Sequence, residues 1–314
     1  MKTCLVIGGA GFIGRNVVSL LVGSGREVIV LGRRPNAHEK LPRECRYISG
    51  DYTDRTLLRR VLENGAEVID MAYSTVPKTS YDDPVFDLLS NLPASVGLFQ
   101  EALSSGSNRV LIVSSGGTVY GPTNRLPISE NHPTMPISPY GITKLTTDLY
   151  ASMFHTNTGL PVVVVRPANA YGEEQKTGTG QGFIAAAIEA ILCGREIEIY
   201  GKEGTIRDYI HVKDVAAGIL AVLNQGRDGE IYNIGTGIGT SNAEIVRMLT
   251  GFAESRSLPV RVKTQPPRRF DVAANILDCS KLNGICGWKA EIPLESGLRK
   301  MWEVFLDSAA GGTV

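Results

Sequence analysis

The stretch Thr3-Cys4-Leu5-Val6-Ile7-Gly8-Gly9-Ala10-Gly11-Phe12-Ile13-Gly14 joins a short apolar run to a glycine pattern and then to an amphipathic segment. In such a turn the first glycine permits the tight bend, the second lets backbone N–H groups approach a pyrophosphate, and the third allows close helix–strand packing. A helix that begins here points its partially positive N-terminus at the phosphates. The pattern predicts a dinucleotide-binding turn, and a purely structural turn is the alternative. The candidate cofactor contacts are Gly8, Gly11, Phe12, Ile13 and Gly14.

Short β-branched runs alternate with helix-length segments through the first half of the chain. The predicted strands are Thr3–Ile7, Glu27–Leu31, Arg46–Ile48, Glu67–Met71, Arg109–Val113 and Pro161–Val165. The predicted helices lie near Phe12–Ser24, Thr53–Asn64, Pro84–Ser105 and Pro139–Thr158. The run Val162-Val163-Val164-Val165 is apolar on both faces, as in a parallel sheet that helices cover on both sides. The alternation predicts an α/β fold with a Rossmann-type doubly wound parallel sheet.

The regular alternation of predicted strands and helices ends after about Arg166, where Pro, Gly and polar loops become frequent. Helical patterns continue at Phe183–Cys193, Val212–Leu223, Asn242–Ala253 and Leu294–Phe305. We expect residues 1–166 plus about 205–240 to form a dinucleotide-binding Rossmann domain. We expect about 167–204 and 241–314 to form a smaller C-terminal substrate-binding domain.

Composition excludes several classes of function. The 314 residues carry 32 Lys and Arg against 32 Asp and Glu, which argues against a nucleic-acid or anionic-membrane partner. The chain is 43% apolar and 20% charged, as in folded enzymes. No long apolar run predicts a membrane span, and the N-terminus lacks signal-peptide features, so we expect a cytoplasmic protein. The five cysteines are scattered and form no CxxC pair, so we expect reduced thiols and no metal site.

The end of the second predicted strand bears on cofactor choice. Sites that prefer NAD usually place an acid there for the ribose hydroxyls, whereas this chain has Gly32, Arg33 and Arg34. Either arginine is a candidate to pair with a 2′-phosphate, which slightly favours NADP over NAD; two solvated loop arginines are the alternative. Asp51, followed by Tyr52, is a candidate contact of the adenine edge, and a helix N-cap is its alternative.

Tyr140 and Lys144 are four residues apart, so on a helix they share a face. An ammonium beside a phenol favours the phenolate, so we expect a Tyr140 pKa lowered towards neutrality. Such a pair can take or return a proton at a sugar hydroxyl while a nicotinamide handles the hydride. An amphipathic surface helix is the alternative. The catalytic interpretation of the pair is favoured because the helix that carries it follows the fifth predicted strand.

Together these residues resemble the extended short-chain dehydrogenase/reductase family, and within it the UDP-glucose 4-epimerase group. The resemblance extends from Gly8 to about Trp302. Its motifs are Gly8-x-x-Gly11-x-x-Gly14, Ser114-Ser115-Gly116-Gly117-Thr118-Val119-Tyr120-Gly121, Tyr140-x-x-x-Lys144, Arg166-Pro167-Ala168-Asn169-Ala170-Tyr171-Gly172 and Arg207-Asp208-Tyr209-Ile210-His211-Val212. These motifs imply a nucleotide-diphosphate-sugar substrate, with a leaning to UDP.

The chain departs from the family pattern at a catalytic position. The family's Ser or Thr that bonds the sugar O4 corresponds to Gly116, so Thr118, or else Ser115, is expected to replace it. We also expect the glycine pair at 116 and 117 to leave space beside the sugar. The acid pair of the family's 4,6-dehydratases would fall at Gly117 and Thr118 and is absent, which argues against dehydration.

The resemblance also implies substrate and cofactor contacts. Asn169, Arg207 and Arg268 match diphosphate ligands, and Tyr200 matches an aromatic residue beside the uracil or is a half-buried strand residue. Asn275 replaces the bulky residue that restricts some members to UDP-glucose and UDP-galactose, so a 2-acetamido sugar is expected to fit. Thr75 is a candidate substrate contact. Further candidate cofactor contacts are Ala72, Tyr73, Asn91 (or a buried structural residue), Tyr140, Lys144 and Pro167.

The leading hypothesis is a nucleotide-sugar 4-epimerase, for UDP-hexose or UDP-N-acetylhexosamine, that works by transient oxidation at C4. The second is an NADPH-dependent nucleotide 4-ketosugar reductase, and the third is a non-catalytic NADP-sensing protein. The resemblance implies a homodimer formed by the helices near 84–106 and 139–158. Apolar residues there that fit either a dimer face or the core are Leu88, Leu89, Val96, Leu149 and Met153.

Overall fold

The computed structural model describes residues 2–35, 37–62, 65–178, 182–267 and 272–310. The strands are β1 Thr3–Ile7, β2 Glu27–Gly32, β3 Arg46–Ser49, β4 Glu67–Asp70, β5 Arg109–Val113, β6 Val162–Pro167, β7 Asn169–Tyr171, β8 Glu196–Tyr200, β9 Ile206–His211, β10 Ile231–Ile234, β11 Gly239–Ser241, β12 Arg261–Gln265 and β13 Ala274–Asn275. The helices are α1 Phe12–Gly23, α2 Arg55–Val61, α3 Pro77–Asp82, α4 Pro84–Ser104, α5 Pro139–Thr158, α6 Phe183–Leu192, α7 Val212–Gln225, α8 Asn242–Glu254, α9 Ser280–Cys286 and α10 Leu294–Ala310.

A seven-stranded sheet forms the centre of the fold. Its order is β10-β6-β5-β4-β1-β2-β3, and every neighbouring pair is parallel. Because side chains alternate along a strand, Cys4 and Val6 enter the core on the side of α1 and α7. Leu5 and Ile7 enter the core on the side of α2, α4 and α5. Both faces are therefore covered, and the predicted Rossmann-type sheet is confirmed.

Local sequence explains where these elements begin and end. The helix α5 has the predicted bounds because Ser138 caps its N-terminus, Pro139 starts it and Gly159 ends it in the left-handed region with φ +74°. The helix predicted from Thr53 begins later, at Arg55, because the side chain of Asp54 accepts from the N–H groups of the first turn.

The C-terminal part builds smaller sheets. The strands β11, β9 and β13 lie side by side, with β7 also paired to β9, while β8 pairs with β12. A third apolar core joins β7, β8 and β9 to α6, α8 and α10. The segment 205–240 contributes β9 and β11 to the smaller sheet and β10 to the larger sheet. Its helix α7 packs on the larger sheet, against β6 and β10. Within the described ranges, no helix combines the length and the apolar character needed to cross a membrane.

Candidate active site

A cavity of about 1200 Å³ opens where β1, β4 and β5 end. The order of the large sheet reverses between β1 and β4, and ligands of doubly wound sheets bind at such a switch point. Residues of β7 and β9 form the opposite wall. A pocket for one drug-sized molecule has about 300–1,000 Å³, so this cavity has room for a dinucleotide and a second ligand.

The glycine turn after β1 brings backbone close to backbone. Gly8 has φ +79°, and its carbonyl accepts from the N–H of Gly11 at 3.0 Å. A Cβ on Gly14 would lie 2.5 Å from that same carbonyl oxygen. The sequence places no acidic residue in the first turn of α1, and Gly11 has no side chain to cap it. The N–H groups of this turn therefore suit a phosphate. The five candidate contacts of the turn, Gly8, Gly11, Phe12, Ile13 and Gly14, all line the cavity.

The predicted adenosine contacts lie outside the described wall of this cavity. Arg33 and Arg34 are exposed at the end of β2. The carboxylate of Asp51 accepts from the N–H of Thr53 at 3.0 Å, so it caps a turn and leaves the α2 N-cap to Asp54. Tyr52 packs against the core, and burial raises the pKa of its phenol well above the usual value.

The start of α5 places Tyr140 and Lys144 in the cavity wall. The Tyr140 N–H donates to Ser80 Oγ on α3 at 3.2 Å, and the next N–H, that of Gly141, donates to Ser138 Oγ at 3.1 Å. Lys144 follows one turn later and donates from Nζ to the carbonyl of Val113 at 2.9 Å. The pair thus faces the same cavity as the glycine turn, as the sequence predicts.

The electrostatics of this pair differ from the expectation. The Lys144 ammonium lies 4.1 Å from the centre of the Tyr73 ring and 5.9 Å from that of Tyr140. Burial raises the pKa of Tyr140, Asp87 raises it further, and the Ser115 hydroxyl opposes both by hydrogen bonding. Burial also lowers the pKa of Lys144, to about 8. The expectation of a phenol pKa near neutrality is therefore wrong for the side chains of this chain alone, because burial and the Asp87 charge outweigh the Ser115 hydrogen bond.

The glycine pair after β5 is not uniformly open. A Cβ on Gly116 would lie 2.5 Å from Leu277 Cδ1 and 2.9 Å from the Arg166 carbonyl oxygen, so this position faces packed protein. The expected space beside the sugar is therefore wrong at Gly116. A Cβ on Gly117 would make only an ordinary contact, 3.4 Å from Asn169 Oδ1, and Gly117 lines the cavity.

The two hydroxyl groups expected to replace the missing serine occupy different places. Ser115 lines the cavity, and its hydroxyl is within hydrogen-bonding reach of the Tyr140 phenol. Thr118 also lines the cavity, and its Oγ1 is buried without a hydrogen-bond partner among the described residues. Because a buried hydroxyl without a partner is costly, Thr118 Oγ1 suits a polar group of a bound ligand.

Not every candidate substrate contact reaches the cavity. Thr75, Asn169 and Arg207 line it, as does the candidate cofactor contact Pro167. The Tyr200 phenol donates to Glu198 Oε2 at 2.7 Å, away from the described wall. Asn275 is buried behind the wall, where its Nδ2 donates to the Gly116 carbonyl at 3.0 Å. Arg268 lies outside the described residues.

Behind the cavity, α4 supports the loop that follows β4. Asn91 accepts from the Ser74 N–H at 2.8 Å and donates to the Asp87 carbonyl at 2.7 Å, so this buried side chain is satisfied by backbone. The Ala72 N–H donates to Asp70 Oδ1 at 3.0 Å. Asp70 and Asp87 are buried carboxylates that the sequence analysis missed. The sequence indicates Asp70, because a carboxylate at the end of the apolar run of β4 is unusual. Nothing in the sequence distinguishes Asp87 from an ordinary acidic residue in the first turn of a helix.

Residues 4–235 match the NAD dependent epimerase/dehydratase family. The chain belongs to this family. Like its structural neighbours, this epimerase/dehydratase member has the extended short-chain dehydrogenase/reductase fold. It is an NAD-dependent enzyme of the epimerase type. The phosphate-ready glycine turn and the Tyr140–Lys144 pair line one cavity and fit a nicotinamide dinucleotide.

Similar family members cover the chain almost completely. The UDP-glucose 4-epimerase of Mycolicibacterium smegmatis is 33% identical over 312 residues, which span 97% of this chain and 98% of that protein. The crystal structure of UDP-glucose 4-epimerase from Thermotoga maritima with UDP-glucose has a TM-score of 0.90 at 33% identity and covers 98% of this chain and 99% of that one. MoeE5 in complex with UDP-glucuronic acid and NAD has a TM-score of 0.87 at 32% identity, covering 98% and 100%.

Proposed function

We propose that this enzyme interconverts a UDP-hexose and its C4 epimer, with UDP-glucose and UDP-galactose as the first pair to test. One observation carries the proposal: Tyr140, Lys144, Ser115 and Thr118 line the same cavity as the glycine turn and Arg207. The names of the M. smegmatis and T. maritima relatives support this choice of sugar. The packing of Leu277 against Gly116 also removes one argument for a larger, N-acetylated sugar.

Each side chain has a role that its surroundings support. A nicotinamide held at the glycine turn would supply the acceptor for the hydride from C4 of the sugar and the donor that delivers it to the opposite face of C4. Tyr140 takes the proton from O4 and gives it back, and the hydrogen bond from Ser115 favours the phenolate needed for the first step. Thr118 bonds a sugar hydroxyl with its otherwise unpartnered Oγ1. Arg207, with Asn169, holds the diphosphate, since a guanidinium can bond two phosphate oxygens.

Incubation with substrate tests the proposal. Purified protein is mixed with UDP-glucose, UDP-N-acetylglucosamine or UDP-glucuronic acid in separate tubes, first without added cofactor, and the products are followed by proton NMR. We expect UDP-galactose from UDP-glucose, and we expect Tyr140→Phe to lower kcat by at least about 100-fold, since general acid–base catalysis contributes about 10²–10⁴-fold. Epimerisation of another sugar alone would correct the substrate. The absence of any epimer after addition of NAD or NADP would overturn the proposal.

A nucleotide 4-ketosugar reductase remains the second candidate, because Gly32, Arg33 and Arg34 favour NADP. The end of β2 offers two guanidinium groups and no carboxylate for the ribose hydroxyls, although MoeE5 is seen with NAD. We expect tighter binding of NADP than of NAD by calorimetry, and loss of that preference in Arg33→Ala/Arg34→Ala. Stoichiometric NADPH oxidation on a 4-keto sugar, without epimer formation, would establish the reductase.

We also propose a homodimer formed through α4 and α5. These helices pack together and expose apolar side chains that include Leu88, Leu89, Leu149 and Met153, of which Leu89 and Leu149 are more than 60% exposed. Val96 instead packs against the core. Sedimentation velocity is expected to give a dimer for the parent protein and a monomer for Leu89→Asp/Leu149→Asp. A monomeric parent protein would contradict the proposal.

A further inference from the structure

Asp87 is a fully buried carboxylate that joins two walls of the active site. It lies in the first turn of α4. Its Oδ1 accepts a hydrogen bond from the hydroxyl of Thr75, which lines the cavity after β4. Its Oδ2 accepts from the hydroxyl of Thr143 at 2.7 Å, and Thr143 lies between Tyr140 and Lys144 on α5. One side chain therefore fixes the loop after β4 relative to the helix of the acid–base pair.

A second phenol lies beside the acid–base pair. The Tyr73 hydroxyl is buried and has no hydrogen-bond partner among the described residues. The Tyr73 ring meets the Tyr140 ring edge to face, with 4.8 Å between their centres, and also carries the Lys144 ammonium on its face. Tyr73, Tyr140 and Lys144 are thus in mutual contact, and Asp87 anchors the helix turn that carries Tyr140 and Lys144 through Thr143.

The charge of Asp87 acts on both members of the pair. It raises the pKa of Tyr140, because a carboxylate disfavours a nearby phenolate, and it opposes the lowering of the Lys144 pKa. The other charged groups facing Lys144 are Asp70 on β4 and Asp148 on α5 itself. Among the described residues, Tyr73 is a further titratable side chain in contact with Tyr140. Of the described carboxylates, Asp87 is the one that influences Tyr140 and Lys144 alike.

We propose that Asp87 is a positioning residue of this site: it holds Thr75 and the Tyr140 turn as one unit, and its carboxylate supplies a negative charge close to Tyr140 and Lys144. The inference rests on the proposed function of Tyr140 and adds a residue that does not itself line the cavity.

Asp87→Asn tests the charge, because the amide has nearly the same shape and keeps one oxygen acceptor. Removing the carboxylate lowers the pKa of both Tyr140 and Lys144, so both limbs of the pH profile of kcat are expected to move about one pH unit towards acid. The matched control is Glu101→Gln on the same helix. Glu101 is a buried carboxylate that pairs with Arg55 and Arg59 away from the cavity, so its loss lowers stability without moving the profile.

A second measurement does not depend on turnover. NMR of protein labelled on its tyrosine rings, with NAD added, follows the ionisation of Tyr140 as the pH is raised. The Tyr140 signal is identified as the one that is missing from the spectrum of Tyr140→Phe. We expect Tyr140 to begin ionising about one pH unit lower in Asp87→Asn. An unmoved signal in a folded variant overturns the inference, whereas absent epimerisation with a moved signal overturns the proposed function alone.

Thr143→Val keeps the inference testable should Asp87→Asn not fold. It deletes the hydrogen bond from the Tyr140 turn to Asp87 while leaving the hydrogen bond between Asp87 and Thr75. We expect kcat to fall at least about tenfold, because small misplacement of an acid–base group is costly, with KM changed less than about threefold. Unchanged kcat would show that the hydrogen bond between Asp87 and Thr143 does not position Tyr140.

Discussion

The glycine turn after β1 and the glycine pair after β5 lie two strands apart in the same sheet, with β4 between them. In the first, the missing side chain of Gly14 lets α1 approach the Gly8 carbonyl, and the phosphate-ready N–H groups remain on the cavity side. In the second, the space beside Gly116 is filled by Leu277, and only Gly117 faces the cavity.

The two turns therefore show that a glycine reveals where a side chain is missing, not which neighbour takes its place. At Gly14 the neighbour is local backbone, so the sequence pattern alone identifies the constraint. At Gly116 the neighbour is a leucine from far along the chain, so the same residue type misleads.

Gly14→Ala is expected to have the largest effect. The added Cβ would lie 2.5 Å from the Gly8 carbonyl oxygen and 2.7 Å from the carbonyl carbon of Gly9, and neither can move without opening the turn. We expect a stability loss of about 3 kcal/mol and no calorimetrically detectable cofactor binding, because α1 must shift away from β1. Urea unfolding and calorimetry measure the two effects. Binding of NAD or NADP within tenfold of the parent protein would show that the turn is not the phosphate site.

Asp70→Asn tests β4, which separates the two turns. Burial raises the pKa of Asp70 from its ordinary value of 3.8 to about 6, so the folded state favours the protonated acid. Below about pH 4, Asp70 is neutral in both the folded and the unfolded state and does not lower the free energy of unfolding. Between about pH 4 and pH 6 it lowers the free energy of unfolding progressively, to a loss of about 3 kcal/mol relative to a neutral side chain. Asparagine keeps the acceptor for the Ala72 N–H. The variant is therefore expected to be as stable as the parent protein at pH 4 and about 3 kcal/mol more stable at pH 7.

Urea unfolding at pH 4, 5, 6 and 7 measures this difference directly. A stability difference that does not change with pH would contradict the raised pKa. Because Asp70 also favours the charged form of Lys144, the variant's activity is expected to decline at a lower pH on the alkaline side.

The sequence predicts the large sheet and α5 well because their signals are local. Five of the six N-terminal strands, all but β3, are largely apolar runs in turn-rich surroundings, and α5 carries its own cap, its first-turn proline and its terminal glycine. The cofactor turn and the Tyr140–Lys144 pair are equally local. The roles of Asp87, Leu277 and Asn275 depend instead on contacts between distant segments, and the pKa of Tyr140 depends on burial, which no residue spacing reveals.

Gly116→Ser introduces a side chain that the family pattern places at this position, yet we expect it to lower stability and not to raise kcat. The new Cβ would meet Leu277 Cδ1 at 2.5 Å and the carbonyl oxygens of Arg166 and Pro167 at 2.9 and 3.1 Å. Overpacking of this kind costs about 2 kcal/mol, and the hydroxyl would face packed protein. Urea unfolding is expected to show that loss, with no gain in kcat. A double-mutant cycle with Leu277→Ala is expected to give a coupling energy of at least about 1 kcal/mol. Additive effects would show that Leu277 does not fill this space.

Gly117→Ala is the matched change one residue later, and its effect is expected to be the smallest. The added methyl would lie 3.4 Å from Asn169 Oδ1, an ordinary contact, on the cavity side of the loop. We expect the free energy of unfolding to stay within about 0.5 kcal/mol of the parent protein, as for substitutions that create no clash or cavity. KM for UDP-glucose is expected to change less than about threefold, because one methyl beside Asn169 leaves the diphosphate ligands in place. A large rise in KM with unchanged stability would mean that the sugar lies directly against Gly117, so that the second glycine, rather than the first, sets the room available to the substrate.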